Sequence, residues 1–266
     1  MKIKPLTLLH TDNMPFMSEH TGYSYEICIF KPDGEPPVGG YPVYYILDGS
    51  SYFQFARDVV RLQSRNAPKT FVDPAIVVGI GHQEADMRRR RFEDFTAPAH
   101  SYSYPDRLQN GNLGPHGGAE RFLAFMEQEL MPAIEARYPV CPHKRCLYGH
   151  SLAGYFAMWV KLTRSELFQA YLAASPSVWW NDHELLRYAE RYAEERAAAD
   201  RSDAIIAVGE LEGFMVEDAQ KLAAVLSACG RPVQLYAAPD ENHGSVVPTT
   251  MSRMLRFGAS VLQAGN

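Results

Sequence analysis

The sequence predicts an α/β fold: a mostly parallel central sheet with helices on both faces. Three observations predict it. Short apolar runs at residues 41–47, 75–80, 170–174 and 204–208 read as strands buried on both faces, as a parallel sheet requires. Helical patterns separate the later strands, which is the alternation of a helix-covered sheet. Finally, residues 144–159 run from an apolar strand through Gly149-His150-Ser151-Leu152-Ala153-Gly154 into a helix-like segment. That is the strand, sharp turn and helix of a nucleophile elbow, in which small residues flank the serine because a bulky side chain would clash in the tight turn. Ala153 stands where the G-x-S-x-G pattern has its second glycine.

The elements follow in order. Residues 1–24 alternate only weakly. Residues 25–31 read as a strand, and the Pro- and Gly-rich stretch 32–40 as a turn. Residues 41–47 form a central strand that closes on Asp48-Gly49-Ser50-Ser51, and 75–80 form another. A loop-rich insertion spans about 82–118, near the site, and carries four successive arginines, Arg88 to Arg91. Residues 119–138 show helical spacing, with Phe122, Phe125, Met126, Leu130 and Ile134 on one face. Pro132 is expected to kink that helix or end it early. After the elbow helix, the strand at 170–174 ends at Ser175-Pro176-Ser177, followed by Trp179-Trp180 and a charged helix over 185–199. The strand at 204–208 ends at Gly209-Glu210-Leu211-Glu212. A helix over 216–228, a strand over 233–236, the turn Pro239-Asp240-Glu241-Asn242-His243-Gly244 and a last helix over 247–262 complete the chain. With no internal repeat and no low-complexity linker, residues 1–266 read as one domain.

Composition narrows the function classes. The chain carries 26 basic and 31 acidic side chains, a net charge of −5, which gives no basic footprint for nucleic acid. No apolar run reaches membrane-spanning length. The four cysteines lack a C-x-x-C spacing and lie in or beside apolar runs, which suits free thiols in a reducing compartment. The first ten residues lack the apolar core of a signal peptide. The expected location is cytoplasmic, or periplasmic if a leader has been removed. No H-x-x-x-H or H-E-x-x-H spacing occurs, so neither a metal nor a cofactor is expected.

Chemistry in such sheets collects at the carboxyl ends of the strands. The strand-end residues are Ser50, Ser151, Ser175, Glu210 or Glu212, and His243. Serine, acid and histidine in that chain order is the α/β-hydrolase order. A serine hydroxyl needs a base at neutral pH, histidine titrates in the right range, and a carboxylate fixes its tautomer. Ser151 is therefore the candidate nucleophile and His243 the base. Glu212 is the preferred acid, with Glu210, Asp240 or a Ser-His dyad as alternatives. The candidate oxyanion donors are the backbone N–H groups of Leu152 and Ser50, with Ser51 next. His150 is expected to point away from the site. Arg91, Trp179 and Trp180 are candidate substrate contacts, because arginines beside aromatic rings suit an anionic aromatic ligand. Arg91 could instead pair with Asp94 or Glu93, and the tryptophans could be core.

The chain also resembles a known family. The stretches Tyr41-Pro42-Val43-Tyr44-Tyr45-Ile46-Leu47-Asp48-Gly49, Arg91-Phe92-Glu93-Asp94-Phe95-Thr96, Gly117-Gly118-Ala119-Glu120-Arg121-Phe122-Leu123, Gly149-His150-Ser151, Ser175-Pro176-Ser177-Val178-Trp179-Trp180, Gly209-Glu210-Leu211-Glu212 and Glu241-Asn242-His243-Gly244-Ser245-Val246 are similar to the esterase family of α/β-hydrolases. That family contains esterase D, feruloyl esterases and siderophore esterases, and the nearest likeness is to its ferric-enterobactin and ferri-bacillibactin esterases. The likeness runs from about residue 20 to 262. It implies a carboxylic ester hydrolase with Ser151 as nucleophile and His243 as base, and it favours Glu212. The expected partner is a small-molecule ester, with siderophore trilactones first. Feruloyl, acetyl or small thioester substrates, or acyl transfer on the same triad, are the alternatives. Oligomeric state is not legible.

Overall fold

The structure, a computed structural model, describes residues 7–105, 113–230 and 233–264. The part of the expected insertion at 106–112 and the first six residues lie outside the described residues. One sheet organises the chain. Its strands are β1 (Thr11–Met17), β2 (Ser24–Phe30), β3 (Tyr41–Leu47), β4 (Ile76–Gly81), β5 (Val140–His150), β6 (Ala170–Ala174), β7 (Asp203–Gly209) and β8 (Val233–Ala238). They lie in the order β1-β2-β4-β3-β5-β6-β7-β8. β1 and β2 pair antiparallel, as do β2 and β4, and every later pair is parallel. β1 escaped the sequence reading because it is an edge strand. It pairs only with β2, and its residues are mostly exposed, so it carries no continuous apolar run.

The helices are α1 (Gly49–Gln63), α2 (Ala67–Thr70), α3 (Met87–Phe95), α4 (Ala119–Ala124), α5 (Met131–Arg137), α6 (Leu152–Thr163), α7 (Trp180–Glu195), α8 (Phe214–Ala228) and α9 (Val246–Ala264). They cover both faces of the sheet. Along β3, Val43, Tyr45 and Leu47 enter the core shared with Phe95, Phe122, Phe156 and Leu222, while Tyr44 and Ile46 enter the core shared with Phe53, Met251 and Leu255. The two-residue period of a strand thus feeds two separate apolar layers. This is why the strand sequence is apolar throughout.

Three elements differ from expectation. Helix α1 follows directly on β3, where no helix was assigned. The arginine run lies on α3, a helix within the expected loop. Over residues 119–138, the apolar face is buried as predicted, but the helix is not kinked at Pro132. A π-helical stretch, Phe125–Leu130, joins α4 to α5 instead. The widened turn absorbs the register change ahead of the proline.

The far end of α6 is anchored by a buried ion pair. Lys161 bonds the Asp200 carboxylate, the Ser202 carbonyl at 2.9 Å and the Ser202 hydroxyl at 2.8 Å, and both charged side chains are 1% exposed. Burial raises the Asp200 pKa, but hydrogen bonds from Lys161 and Tyr192 outweigh it and hold the carboxyl below its usual range. Removing one partner of such a pair strands a charge and costs about 3–5 kcal/mol. Asp200→Ala is therefore expected to lower the urea-unfolding free energy by about that amount. Lys161→Met combined with Asp200→Ala should cost less than Asp200→Ala alone. An equal or greater loss in the double variant would contradict the pairing account.

Candidate active site

The site is built at the carboxyl ends of β3, β5, β6, β7 and β8. β5 ends at His150, and Ser151 takes φ 60° and ψ −120° before α6 begins. That conformation is sparsely populated for a residue with a Cβ. Backbone bonds enforce it. Ser151 N–H donates to Ala174 O at 3.0 Å, and Ser151 O accepts from Tyr155 N–H at 2.9 Å and Ser177 N–H at 3.1 Å. A Cβ on Gly149 would stand 2.1 Å from Ala153 O, so the first small residue of the elbow is obligatory. Ala153 itself is fully buried with its methyl accommodated, so the departure from glycine leaves the turn intact.

Glu212 and His243 are brought together because the loops after β7 and β8 are stitched to each other. Glu210 N–H donates to Ala238 O at 2.9 Å and Leu211 N–H to Glu241 O at 2.9 Å. Gly209 permits that approach, since a Cβ there would lie 2.5 Å from Glu241 O. The result is a hydrogen-bonded chain. Glu212 Oε2 lies 2.6 Å from His243 Nδ1, and His243 Nε2 lies 3.1 Å from Ser151 Oγ. The Glu212 side chain is 1% exposed. Its other oxygen accepts from Gly209 N–H at 2.6 Å and from Ser175 Oγ at 2.5 Å. Burial raises the Glu212 pKa, but the bonds from His243, Ser175 and the Gly209 amide outweigh it and keep the carboxylate ionised below its ordinary range. The structure does not bring the alternative acids into contact with His243. Glu210 Oε2 accepts from Asp240 N–H at 3.3 Å, at the exposed side of the turn.

Leu152 opens α6 and Ser50 lies in the first turn of α1, where helix amides have no intrahelical acceptor and the helix dipole favours an anion. Ser50 Oγ donates to His82 O at 3.1 Å and ties the α1 start to the end of β4. Gly49 packs so closely on β4 that a Cβ would lie 2.6 Å from the Gly79 carbonyl carbon.

Several side chains sit elsewhere than the sequence suggested. Trp180 is fully buried, 5.6 Å from Phe92 and 5.7 Å from Tyr104 between ring centroids, so the expectation that it touches substrate is corrected: it is core. The cause is local. Asn181, Asp182 and His183 all adopt left-handed backbone, with φ of 47°, 51° and 58°, and this turn drives Trp180 inward while Trp179 remains partly exposed beside it. Arg91 is also not a free cation. Its Nε donates to Asp48 Oδ1 at 2.8 Å, and its guanidinium reaches His150 O at 3.5 Å. The pairing with Asp94 and Glu93 belongs to Arg90, at 2.6 and 2.7 Å. Arg91 thus braces Asp48, whose φ is 52°, at the turn that leads to Ser50.

His150 does not point away. Its ring lies 4.6 Å from that of His243, and Tyr52 hydroxyl lies 3.0 Å from its Nδ1. Ser175, Ser177 and Tyr52 are site residues that sequence reasoning missed. Ser175 and Ser177 were visible only as strand-end serines, and Tyr52 gave no signal without α1. Among the described residues, no group of three or more His, Cys, Asp or Glu side chains could hold a metal ion, and no helix is long and apolar enough to cross a membrane.

A nucleophile elbow at the centre of an eight-stranded, mostly parallel sheet, with an acid and a histidine on the following strand-end loops, defines a serine hydrolase of the α/β-hydrolase class. Within that class the chain belongs to the family described as Putative esterase, whose model matches residues 18–231. It is 36% identical to the ferri-bacillibactin esterase BesA of Bacillus subtilis over 260 residues, covering 94% of this chain and 90% of that protein. It is 30% identical to the siderophore triacetylfusarinine C esterase of Aspergillus fumigatus, over 90% of each. The crystal structure of the BES protein from Bacillus cereus superposes with a TM-score of 0.90 at 35% identity, covering 97% of this chain and 99% of that one. The protein is a serine esterase.

His150 supplies a test of this packing. Burial first, then the neighbouring His243 and Arg91, push its pKa down to about 3. An unfolded histidine titrates near 6.5. As pH falls below that value, the unfolded chain takes up a proton that the folded chain refuses, so stability is lost. Between pH 7 and 4.5, this group should remove about 2–3 kcal/mol. His150→Gln is expected to lose correspondingly less stability than wild type over that range in urea unfolding. An equal loss in both chains would contradict a neutral, buried His150.

Proposed function

We propose that this esterase hydrolyses the backbone esters of a siderophore through an acyl-enzyme on Ser151. The observation that carries the reading is the Glu212–His243–Ser151 chain at 2.6 and 3.1 Å. It occurs in a sequence 36% identical to a ferri-bacillibactin esterase. Because Glu212 can only accept, His243 Nδ1 carries a proton and Nε2 is free to accept one from Ser151. As Ser151 Oγ bonds to the ester carbon, its proton passes to His243 and the carbonyl electron pair moves to oxygen. The amides of Leu152 and Ser50 receive that developing charge. The proton then goes to the departing alkoxide. Water repeats the sequence on the acyl-enzyme and releases the acid. Trp179, partly exposed on the loop after β6, gives the site an aromatic rim suited to a catecholate-type ligand. We read residues 1–266 as one α/β-hydrolase domain, a reading that the single sheet from β1 to β8 supports.

The test compares hydrolysis of ferric and iron-free tris-catecholate trilactones with that of a short p-nitrophenyl ester. The siderophore is expected to have the higher kcat/KM. Preference for the simple ester would remove the siderophore assignment. Ser151→Ala is expected to lower kcat at least about a thousandfold on every substrate. In the same assays, Glu212→Gln should lower kcat at least about a hundredfold by misorienting the His243 tautomer, while Glu210→Gln stays within about twofold of wild type. The opposite order would make Glu210 the acid.

A further inference from the structure

Ser177 has no place in the reaction just described, yet its hydroxyl touches the reacting atom. Its Oγ lies 3.3 Å from Ser151 Oγ. The side chain is fully buried, and a buried hydroxyl must find a partner. Ser151 Oγ is the partner found for it among the described residues. The backbone holds it there. Ser177 N–H donates to Ser151 O at 3.1 Å, Ser177 O accepts from Trp180 N–H at 3.1 Å, and Val178 N–H donates to Pro176 O at 2.8 Å. Two positions earlier, Ser175 sits at φ 41° and bonds Glu212, so the loop after β6 touches both ends of the candidate triad.

The direction of the Ser177–Ser151 bond follows from the rest of the chain. The Glu212 carboxylate accepts, so His243 Nδ1 donates and Nε2 accepts. Ser151 must then spend its own hydrogen on His243. In its contact with Ser177, Ser151 Oγ can only accept, and Ser177 donates.

We infer that Ser177 is a further catalytic residue, a hydrogen-bond donor to Ser151 Oγ that acts mainly when the acyl-enzyme breaks down. The inference rests on the reading of Ser151 as nucleophile. In the free enzyme the Ser151 hydroxyl oxygen already accepts this bond, so the bond gains little more strength during attack, whereas the ester oxygen of the acyl-enzyme is a poor acceptor that becomes a good one as it leaves. In deacylation Oγ is the leaving group. Hydroxide from water, its proton taken by His243, bonds the acyl carbon. The tetrahedral intermediate then collapses, the C–Oγ bond breaks, and its electron pair stays on Oγ. His243 returns the proton to Oγ. Ser177 stabilises the charge building on Oγ throughout and transfers no proton itself. A hydrogen bond to a charged oxygen is stronger and shorter than one to a neutral hydroxyl. The resting distance of 3.3 Å is therefore expected to contract as the charge appears.

The test is Ser177→Ala on p-nitrophenyl acetate, with Ser151→Ala beside it. Loss of the donor should lower kcat about tenfold, the size of one charge-assisted hydrogen bond. The apparent KM should fall in parallel, so that kcat/KM stays within about twofold. The burst of p-nitrophenol should keep its rate and be followed by a slower steady state. Ser177→Cys, with a weaker donor, should fall between the two. Inactivation by a fluorophosphonate, which reports attack alone, should proceed at the wild-type rate. A merely structural role would lower kcat/KM, inactivation rate and melting temperature together, and that result overturns the inference. So does a Ser177→Ala chain with wild-type kcat while Ser151→Ala is inactive. A Ser151→Ala chain that still turns over removes the nucleophile reading and the role of Ser177 with it.

Discussion

A serine held at φ 60° and ψ −120° lies about 1–3 kcal/mol above a relaxed backbone, and nothing in the side chain offsets that cost. The surrounding strands do. β6 supplies the carbonyl that captures Ser151 N–H, α6 supplies Tyr155 N–H, and the loop after β6 supplies Ser177 N–H. The close approach of α6 to the end of β5 depends on Gly149, where a Cβ would collide with the Ala153 carbonyl. The strain is also why Ser151 Oγ stands clear of the sheet, facing the loops that follow β7 and β8. Those loops in turn are fixed to each other by bonds from Glu210 and Leu211 to the β8 side. Thus the position of the hydroxyl, the histidine and the acid all depend on one tight turn and the packing that maintains it.

Around that turn, the polar groups divide by charge. Glu212 is buried but saturated with donors, which keeps it an acceptor. His150 has Tyr52 at its Nδ1, and burial, with His243 and Arg91 nearby, keeps it neutral. In the proposed mechanism, a neutral ring 4.6 Å from His243 lets the imidazolium form without a cationic ring beside it. Arg91, whose charge His150 feels, is paired with Asp48. In that mechanism, a positive charge at His243 and a negative charge near the α1 and α6 amides would then form beside a neutral His150 and a paired Arg91.

Much of this was legible from residues. The central strands were, because β3, β4, β6 and β7 are apolar on both faces. That Ser151, Glu212 and His243 would meet was legible too, because they stand at strand ends in one chain order, and the structure brings them into a hydrogen-bonded chain; the roles assigned to them are the proposed reading. Edge strand β1 was not, since its side chains face solvent and its pairing comes from the backbone. Helix α1 was not assigned, because its mixed sequence follows straight from a turn signal, Asp48-Gly49. The fates of Arg91 and Trp180 depended on tertiary facts. A salt bridge across 43 positions and a left-handed turn of three non-glycine residues leave no local trace. The same is true of His150, whose partner is set by where α1 places Tyr52.

The central claim is that the ester's acyl group resides on Ser151 between two half-reactions. Its most direct test is rapid-quench mass spectrometry of the wild-type protein mixed with a slowly deacylating ester, followed by peptide mapping. The account predicts a transient mass increase equal to the acyl group, located on the peptide bearing Ser151 and on its hydroxyl, appearing within the burst and decaying at the steady-state rate. Turnover without any acylated protein, or acylation on a different residue, would contradict it.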